Sequence, residues 1–246
     1  MMKSIIPEHP PVLVRDYTSP GDTDSAAGIR RAILEAQRTG ARTIVFEAGR
    51  YLLRSSANHR TEGIVHDAGS QGVEPQKDTH LLVYNLGDLT LRGAVNKSGE
   101  PATMLVGWND RKRHGFLPSI LWCENSPRLT LSNLAFTREP AFSSAGLIVD
   151  HDAGSLTVEL LPGCTAWDGM GIYCANRFDA NGENLLGESV TYGNGADAFW
   201  EAAGTNRFIL SSPTVAAKVH SGELLSWHQG AQTDFQVYLG HCDDLR

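Results

Sequence analysis

Apolar residues recur at helical spacing in one stretch. Ile29, Ile33 and Leu34, with Gln37, fall along Ala26 to Arg38, behind Asp24 as a candidate N-cap and ahead of Gly40 as a stop, so one short amphipathic helix is expected. The pattern then turns β-branched. Thr43-Ile44-Val45-Phe46 predicts a strand, Glu47-Ala48-Gly49-Arg50 a turn, and Tyr51-Leu52-Leu53 a second strand. From Ser55 to Thr79 no periodicity survives, which predicts a long surface loop. Its His59 and His66 stand seven positions apart without helical register, so solvated loop residues are the better expectation than a metal site.

A faint repeat emerges when three segments are aligned on Asn85, Asn125 and His241. Four positions earlier stand Leu81, Leu121 and Val237, two positions earlier Val83, Cys123 and Leu239, and four positions later Leu89, Leu129 and Leu245. In a strand these alternate positions share one face, so they predict a common interior, while Leu82, Trp122 and Tyr238 point outward. Asn at the anchor suits a bend, because its amide can bond the backbone and it tolerates unusual dihedrals. Units of strand, bend and strand bury their apolar face only by stacking on neighbours, which is the logic of a parallel β-solenoid. The competing expectation is a β-sandwich of ordinary alternating strands. On the solenoid reading the early helix caps one end and hides its edge.

Between the second and third units the texture changes, from about Ser143 to Glu223. Gly146 to Leu160 predicts a β-hairpin about an Asp/Gly turn, and Arg207 to Leu210 and Thr214 to Val219 predict further antiparallel strands. The expected fold class is all-β: a right-handed parallel β-helix with one short capping helix and an inserted small antiparallel barrel or sandwich. The expected organisation is 1–142 for the cap and first coils, 143–223 for the insertion and 224–246 for the return to the helix. Cys174 to Ala203 is too rich in Gly and Asn to assign.

Composition narrows the partners. Twenty-five glycines and 11 prolines favour short elements and tight turns over long helices. With 21 Lys and Arg against 28 Asp and Glu, the net charge is -7, which disfavours phosphate-backbone binding and so nucleic acid. No apolar run approaches the roughly 20 residues of a membrane span, and Met1 to Pro11 lacks the order of a secretory signal. The four cysteines, Cys123, Cys164, Cys174 and Cys242, are irregularly spaced and read mostly as buried thiols. Signatures of phosphate-binding loops, zinc hydrolases, serine hydrolases and EF-hands are missing, and no metal or cofactor is expected.

Carboxylates and aromatics remain. Glycoside hydrolysis needs two carboxyl groups facing across a sugar, and sugars favour flat aromatic faces. Asp243-Asp244 is an adjacent acidic pair whose bland reading is a solvated turn, and Asp150 and Asp152 suit a hairpin turn better than a calcium site. Glu139, at the junction where the insertion begins, is a candidate substrate contact or half of an Arg-Glu tie with Arg138. Trp227 and His228 occupy the return point, so the two junctions should lie close in space and line one pocket, unless Trp227 is core. Trp122 and Tyr238 either stack a sugar from the outer face or are covered by the loop and the insertion.

Val12-Leu13-Val14-Arg15-Asp16-Tyr17, Gly21-Asp22-Thr23-Asp24, Ala32-Ile33 and Val45 to Tyr51 resemble the amino-terminal signature of pectin-lyase-like right-handed parallel β-helices. Leu121-Trp122-Cys123-Glu124-Asn125, Leu129 to Leu134 and Arg138-Glu139-Pro140-Ala141-Phe142-Ser143 are similar to a strand and following element of glycoside hydrolase family 110. Gly222 to His228 resembles that family's return from its inserted barrel. The resemblance implies an exo-acting, inverting α-galactosidase for terminal α-1,3-linked galactose, secreted or periplasmic when full length, with a galactose-ended oligosaccharide as partner. It places the catalytic aspartates on later coils, so no position here takes that role and the chain reads as truncated or shortened. An open solenoid end then invites self-association. A non-catalytic carbohydrate-binding solenoid and a polysaccharide lyase are the alternatives.

Overall fold

Short apolar runs cut by Asn, Asp and Gly leave room for strands of two to nine residues, and the described residues form eighteen strands and two helices. The fold is all-β. The computed structural model describes residues 9–57, 79–109, 118–192, 198–229, 236–240 and 242–246; His59, His66, most of the predicted long loop and His241 lie outside them. In chain order come β1 (Val12–Leu13), α1 (Ala26–Thr39), β2 (Thr43–Val45), β3 (Gly49–Leu53), β4 (Thr79–Tyr84), β5 (Thr90–Arg92), β6 (Thr103–Trp108), β7 (Ser119–Glu124), β8 (Thr130–Ser132) and β9 (Leu134–Glu139). There follow β10 (Ser143–His151), β11 (Ser155–Leu160), β12 (Met170–Gly171), β13 (Cys174–Phe178), β14 (Thr191–Tyr192), β15 (Phe199–Ala202), β16 (Arg207–Ser211), α2 (Pro213–Ala216), β17 (Leu224–His228) and β18 (Val237–Gly240).

The chain forms two units. The first takes the described residues of Met1–Trp108, Leu117–Arg138 and Asp234–Arg246. Its strands make three parallel sheets, ordered β1-β2-β5-β8, β3-β6-β9 and β4-β7-β18, so each successive triplet of strands sends one member to each sheet. The aligned columns read from the sequence hold: Leu81 pairs with Leu121 and Leu121 with Val237, and Val83 pairs with Cys123 and Cys123 with Leu239. Asn85 and Asn125 end their strands at φ 55° and 48°, the left-handed bend that suits asparagine. Leu89 and Leu129 are buried, whereas Leu239 and Leu245 are 39% and 45% exposed. These two were expected inside; among the described residues no strand pairs beyond β18 to cover them.

A column of charge follows the same corner. Asp88, Arg128 and Asp244 all adopt left-handed φ near 56–59°. Arg128 Nη2 donates to Asp88 Oδ2 at 2.8 Å, Arg42 lies 3.9 Å from Asp88, and Arg246 lies 3.5 Å from Asp244. Signs therefore alternate down the stack, although at such exposure each pair contributes little. This is the structural use of Asp244. Its neighbour Asp243 is exposed.

Helix α1 buries Ala26, Ile29, Ala32, Ile33 and Ala36 in one core with Ile44, Phe46, Tyr51 and Leu81. Leu34, expected on that face, is 53% exposed. Gly40 ends the helix at φ 73°, as its position predicts. Ser25 rather than Asp24 is the N-cap; Asp24 instead accepts from the N–H groups of Ala26, Arg54 and Ser55, each at 3.0 Å. Burial alone would raise the Asp24 carboxyl, but these donors outweigh it and hold the group below the usual carboxylate range.

His80 of β4 is fully buried, and its Nδ1–H donates to Ser55 O at 3.1 Å. Burial pushes its imidazole down to about 4, with the Arg138 and Arg30 charges acting in the same direction and the Ser55 bond opposing. The native protein thus keeps His80 neutral where the unfolded chain, titrating near 6.5, takes a proton. Stability from this group is complete above that value and is lost as pH falls from about 6.5 towards 4, by a few kcal/mol at most. Denaturant titrations at pH 7.5 and 4.5 should therefore differ more in the wild type than in His80→Gln. Equal differences would remove His80 as the cause.

The second unit takes the described residues of Glu139–Thr233 together with Asn109. Its eight strands form one antiparallel sheet, ordered β12-β15-β16-β11-β10-β17-β13-β14. The predicted hairpin is β10–β11, and Asp152 serves its turn by accepting from Gly154 N–H and Ser155 N–H at 2.7 Å each. Two expectations are corrected. Leu224 to His228, read as part of the return to the helix, is β17, inserted between β10 and β13 of this sheet. Thr214 to Val219, read as a strand, begins inside α2: Ser212 caps the helix by accepting from Val215 N–H, and Pro213 fits its first turn.

Candidate functional site

The register of the parallel sheet lays Leu82, Trp122 and Tyr238 side by side as one row. The Trp122 and Tyr238 rings stack with centroids 3.8 Å apart and planes 24° from parallel. Trp122 Nε1–H donates to Glu124 Oε2 at 2.9 Å, two residues along the same strand. Trp122 is only 4% exposed and Glu124 only 7%, so the indole is a covered ring and not an open sugar platform. Tyr238 is half-buried. Its ring lies back over Gly240, where a Cβ would stand 2.7 Å from Tyr238 Cε1, so only glycine admits this pose. Burial, then the Glu124 charge, push the phenol up. Beside Leu82 a groove of about 180 Å³ is lined by Arg30, Ile33, Leu34, Gln37, Tyr84 and Leu86. Arg30 is committed as an anchor, its Nη1 donating to His80 O at 2.9 Å and to Ser55 O at 3.2 Å.

In the second unit, strand alternation separates the two adjacent candidates of β17. Trp227 turns into the core, 1% exposed, with its ring 4.5 Å from that of Trp200. This corrects its reading as a pocket residue. His228 is half-buried on the other side, level with Ser143 of β10 and Cys174 of β13. Phe142 and Tyr173 flank it, each with a ring centroid 5.7 Å from the imidazole. Tyr173 N–H donates to His228 O, and Gln229 N–H to Phe142 O, both at 2.9 Å. Main-chain bonds therefore fix Phe142, Tyr173, His228 and Gln229 around one end of β17. Glu139 is exposed at the end of β9, three residues before Phe142, and its carbonyl accepts from Asn109 N–H at 3.0 Å.

The expectation that the two junctions of the insertion meet thus holds through the pairing of Ser143 with His228. Tyr173 escaped the sequence reading, because only the antiparallel register brings it to His228. The resulting group offers an imidazole and a phenol beside the Phe142 ring. Such a set can exchange hydrogen bonds with neutral hydroxyls while the rings meet C–H surfaces. No family model matches the chain, and no curated protein matches it.

Proposed function

We propose that the chain recognises glycans, as part of a right-handed parallel β-helix enzyme or as a shortened relative of one, of the exo-acting inverting kind that removes terminal α-1,3-linked galactose. Support for the helix comes from the three parallel sheets fed in turn by successive strands, with an antiparallel unit between β9 and β18. The observation that carries glycan recognition is His228 held between Phe142 and Tyr173. Flat rings with a polar group between them match a sugar ring, whose faces are apolar and whose rim is hydroxylated. In this reading Phe142, Tyr173 and His228 hold the terminal sugar, Glu139 stands at the edge of the site, and no metal or cofactor takes part.

A second reading is a carbohydrate-binding solenoid without catalysis. It is favoured by the side chains gathered around His228, which are aromatic and neutral where hydrolysis asks for two opposed carboxyl groups. Calorimetry with α-1,3-galactobiose, run alongside a galactose-release assay, separates the two. The wild type is expected to bind, and His228→Ala to weaken binding about tenfold, the loss of roughly one good hydrogen bond. Release of galactose favours the hydrolase, binding without release favours the solenoid, and absence of binding sinks both.

A further inference from the structure

Two histidines meet at the end of β10 remote from the His228 group. Ser143, which pairs with His228, opens β10 and His151 closes it, so the two places lie about 27 Å apart along an extended strand. His220 stands between α2 and β17, and its ring centroid is 6.0 Å from that of His151, with the planes 81° apart. Main-chain bonds hold both segments. Gly222 N–H donates to Ile148 O at 2.8 Å, Ile148 N–H to Glu223 O at 2.9 Å, and Asp152 N–H to Ser155 O at 2.9 Å. His220 N–H donates to Glu223 Oε2 at 3.0 Å, and that carboxylate is itself held by Arg177 at 3.3 Å. The backbone therefore makes the two imidazoles neighbours.

Ser221 Oγ lies 3.1 Å from His151 Nδ1. An imidazole that donates its Nδ1–H to an oxygen keeps a lone pair on Nε2, and that tautomer binds a metal ion. His151 is half-buried and His220 exposed, so an ion can reach both from solvent. Asp150 and Asp152 flank His151 in the chain and are exposed, and the whole chain carries a net charge of -7, which favours a cation. Two imidazoles bound to one zinc at about 2.0–2.1 Å hold their ring centroids roughly 5 Å apart. From 6.0 Å a small side-chain turn reaches that spacing. Among the described residues no third His, Cys, Asp or Glu joins the pair, so water completes the coordination.

We propose that His151 and His220 together chelate one divalent transition-metal ion of the zinc, nickel and copper class, as a clip between the end of β10 and the turn ahead of β17. Imidazole nitrogen selects such ions over magnesium and calcium, which take oxygen ligands. The clip stands apart from the His228 group and does not depend on the glycan reading. Zinc chloride is titrated calorimetrically into the wild type, His151→Ala, His220→Ala and the double variant, with magnesium chloride as the control. One zinc site of the wild type should weaken at least about tenfold in either single variant, since losing even an outer partner of a metal ligand costs that much. The double variant should bind scarcely more weakly than either single one, because chelation ends with the first ligand lost. Magnesium should bind none of the four. His220 is exposed, so His220→Ala keeps the fold and decides the case even if His151→Ala does not fold. Zinc binding unchanged in His220→Ala overturns the proposal. So do losses that simply add in the double variant, which would mean two separate sites, and a wild type that binds no zinc.

Discussion

Gly93→Ala is expected to cost the first unit about 3 kcal/mol or more and to lower its melting temperature by roughly 10 °C. A Cβ at this position would stand 2.1 Å from Asn133 O and 2.9 Å from Thr103 Cβ. Neither neighbour can step aside. Gly93 N–H is bonded to Ser132 O at 2.8 Å, which holds the two backbones together, and Asn133 sits in a left-handed bend at φ 56°. Thr103 is pinned from both sides, its Oγ1 accepting from Ala94 N–H and donating to Glu47 O at 2.9 Å each. Gly99→Ala is the control: φ is 82° there, but nothing lies within 4 Å of the added carbon, so only the dihedral penalty of about 1 kcal/mol applies. Thermal melts followed by circular dichroism should rank the two variants far apart. A Gly93→Ala melt no lower than that of Gly99→Ala would refute the close approach of neighbouring strands on which this packing depends.

The need for glycine at position 93 was invisible in the sequence, and the reason is physical. Alternation along a strand is local, so Leu81, Leu121 and Val237 could be aligned by their common distance from Asn85, Asn125 and His241. Which residue of one strand pair presses on a backbone in another depends on the register between segments forty residues apart, and no local pattern encodes it. The same distinction explains Leu239 and Leu245. Their place in the repeat is legible, but their burial depends on a further neighbour.

In the second unit the sequence spoke clearly only where turn chemistry was strong. Asp152-Ala153-Gly154-Ser155 marked its hairpin through side-chain acceptance from the backbone, a purely local device. Thr214 to Val219 misled because alternation over six residues is weak beside a cap: Ser212 and Pro213 nucleate a turn just ahead of it. The insertion was ended too early, at Glu223, for a similar reason. Leu224 to His228 has the apolar alternation of any strand, and only its partners decide whether it belongs to a parallel or an antiparallel sheet. Trp122, Trp227 and His228 were all legible as special residues, but that both indoles are buried while the imidazole is only half-buried cannot be told without the register.

That division between neighbours can be measured. Trp227→Ala is expected to destabilise the second unit by about 3–5 kcal/mol, the usual result of emptying a large core site. The indole is 1% exposed, lies against Trp200, and is flanked across the sheet by Ser144 and Ala175, small residues unable to refill the space. Trp227→Phe keeps a ring against Trp200 and should cost clearly less. His228→Ala, one residue on, removes a half-buried ring and should cost far less stability than Trp227→Ala while weakening sugar binding. Urea titrations of the three variants, each followed by a binding measurement on the folded protein, separate packing from recognition residue by residue. If Trp227→Ala proved as stable as the wild type, or if His228→Ala proved the more damaging to the fold, the inward and outward faces of β17 would have been assigned the wrong way round, and the site built around His228 would lose its footing.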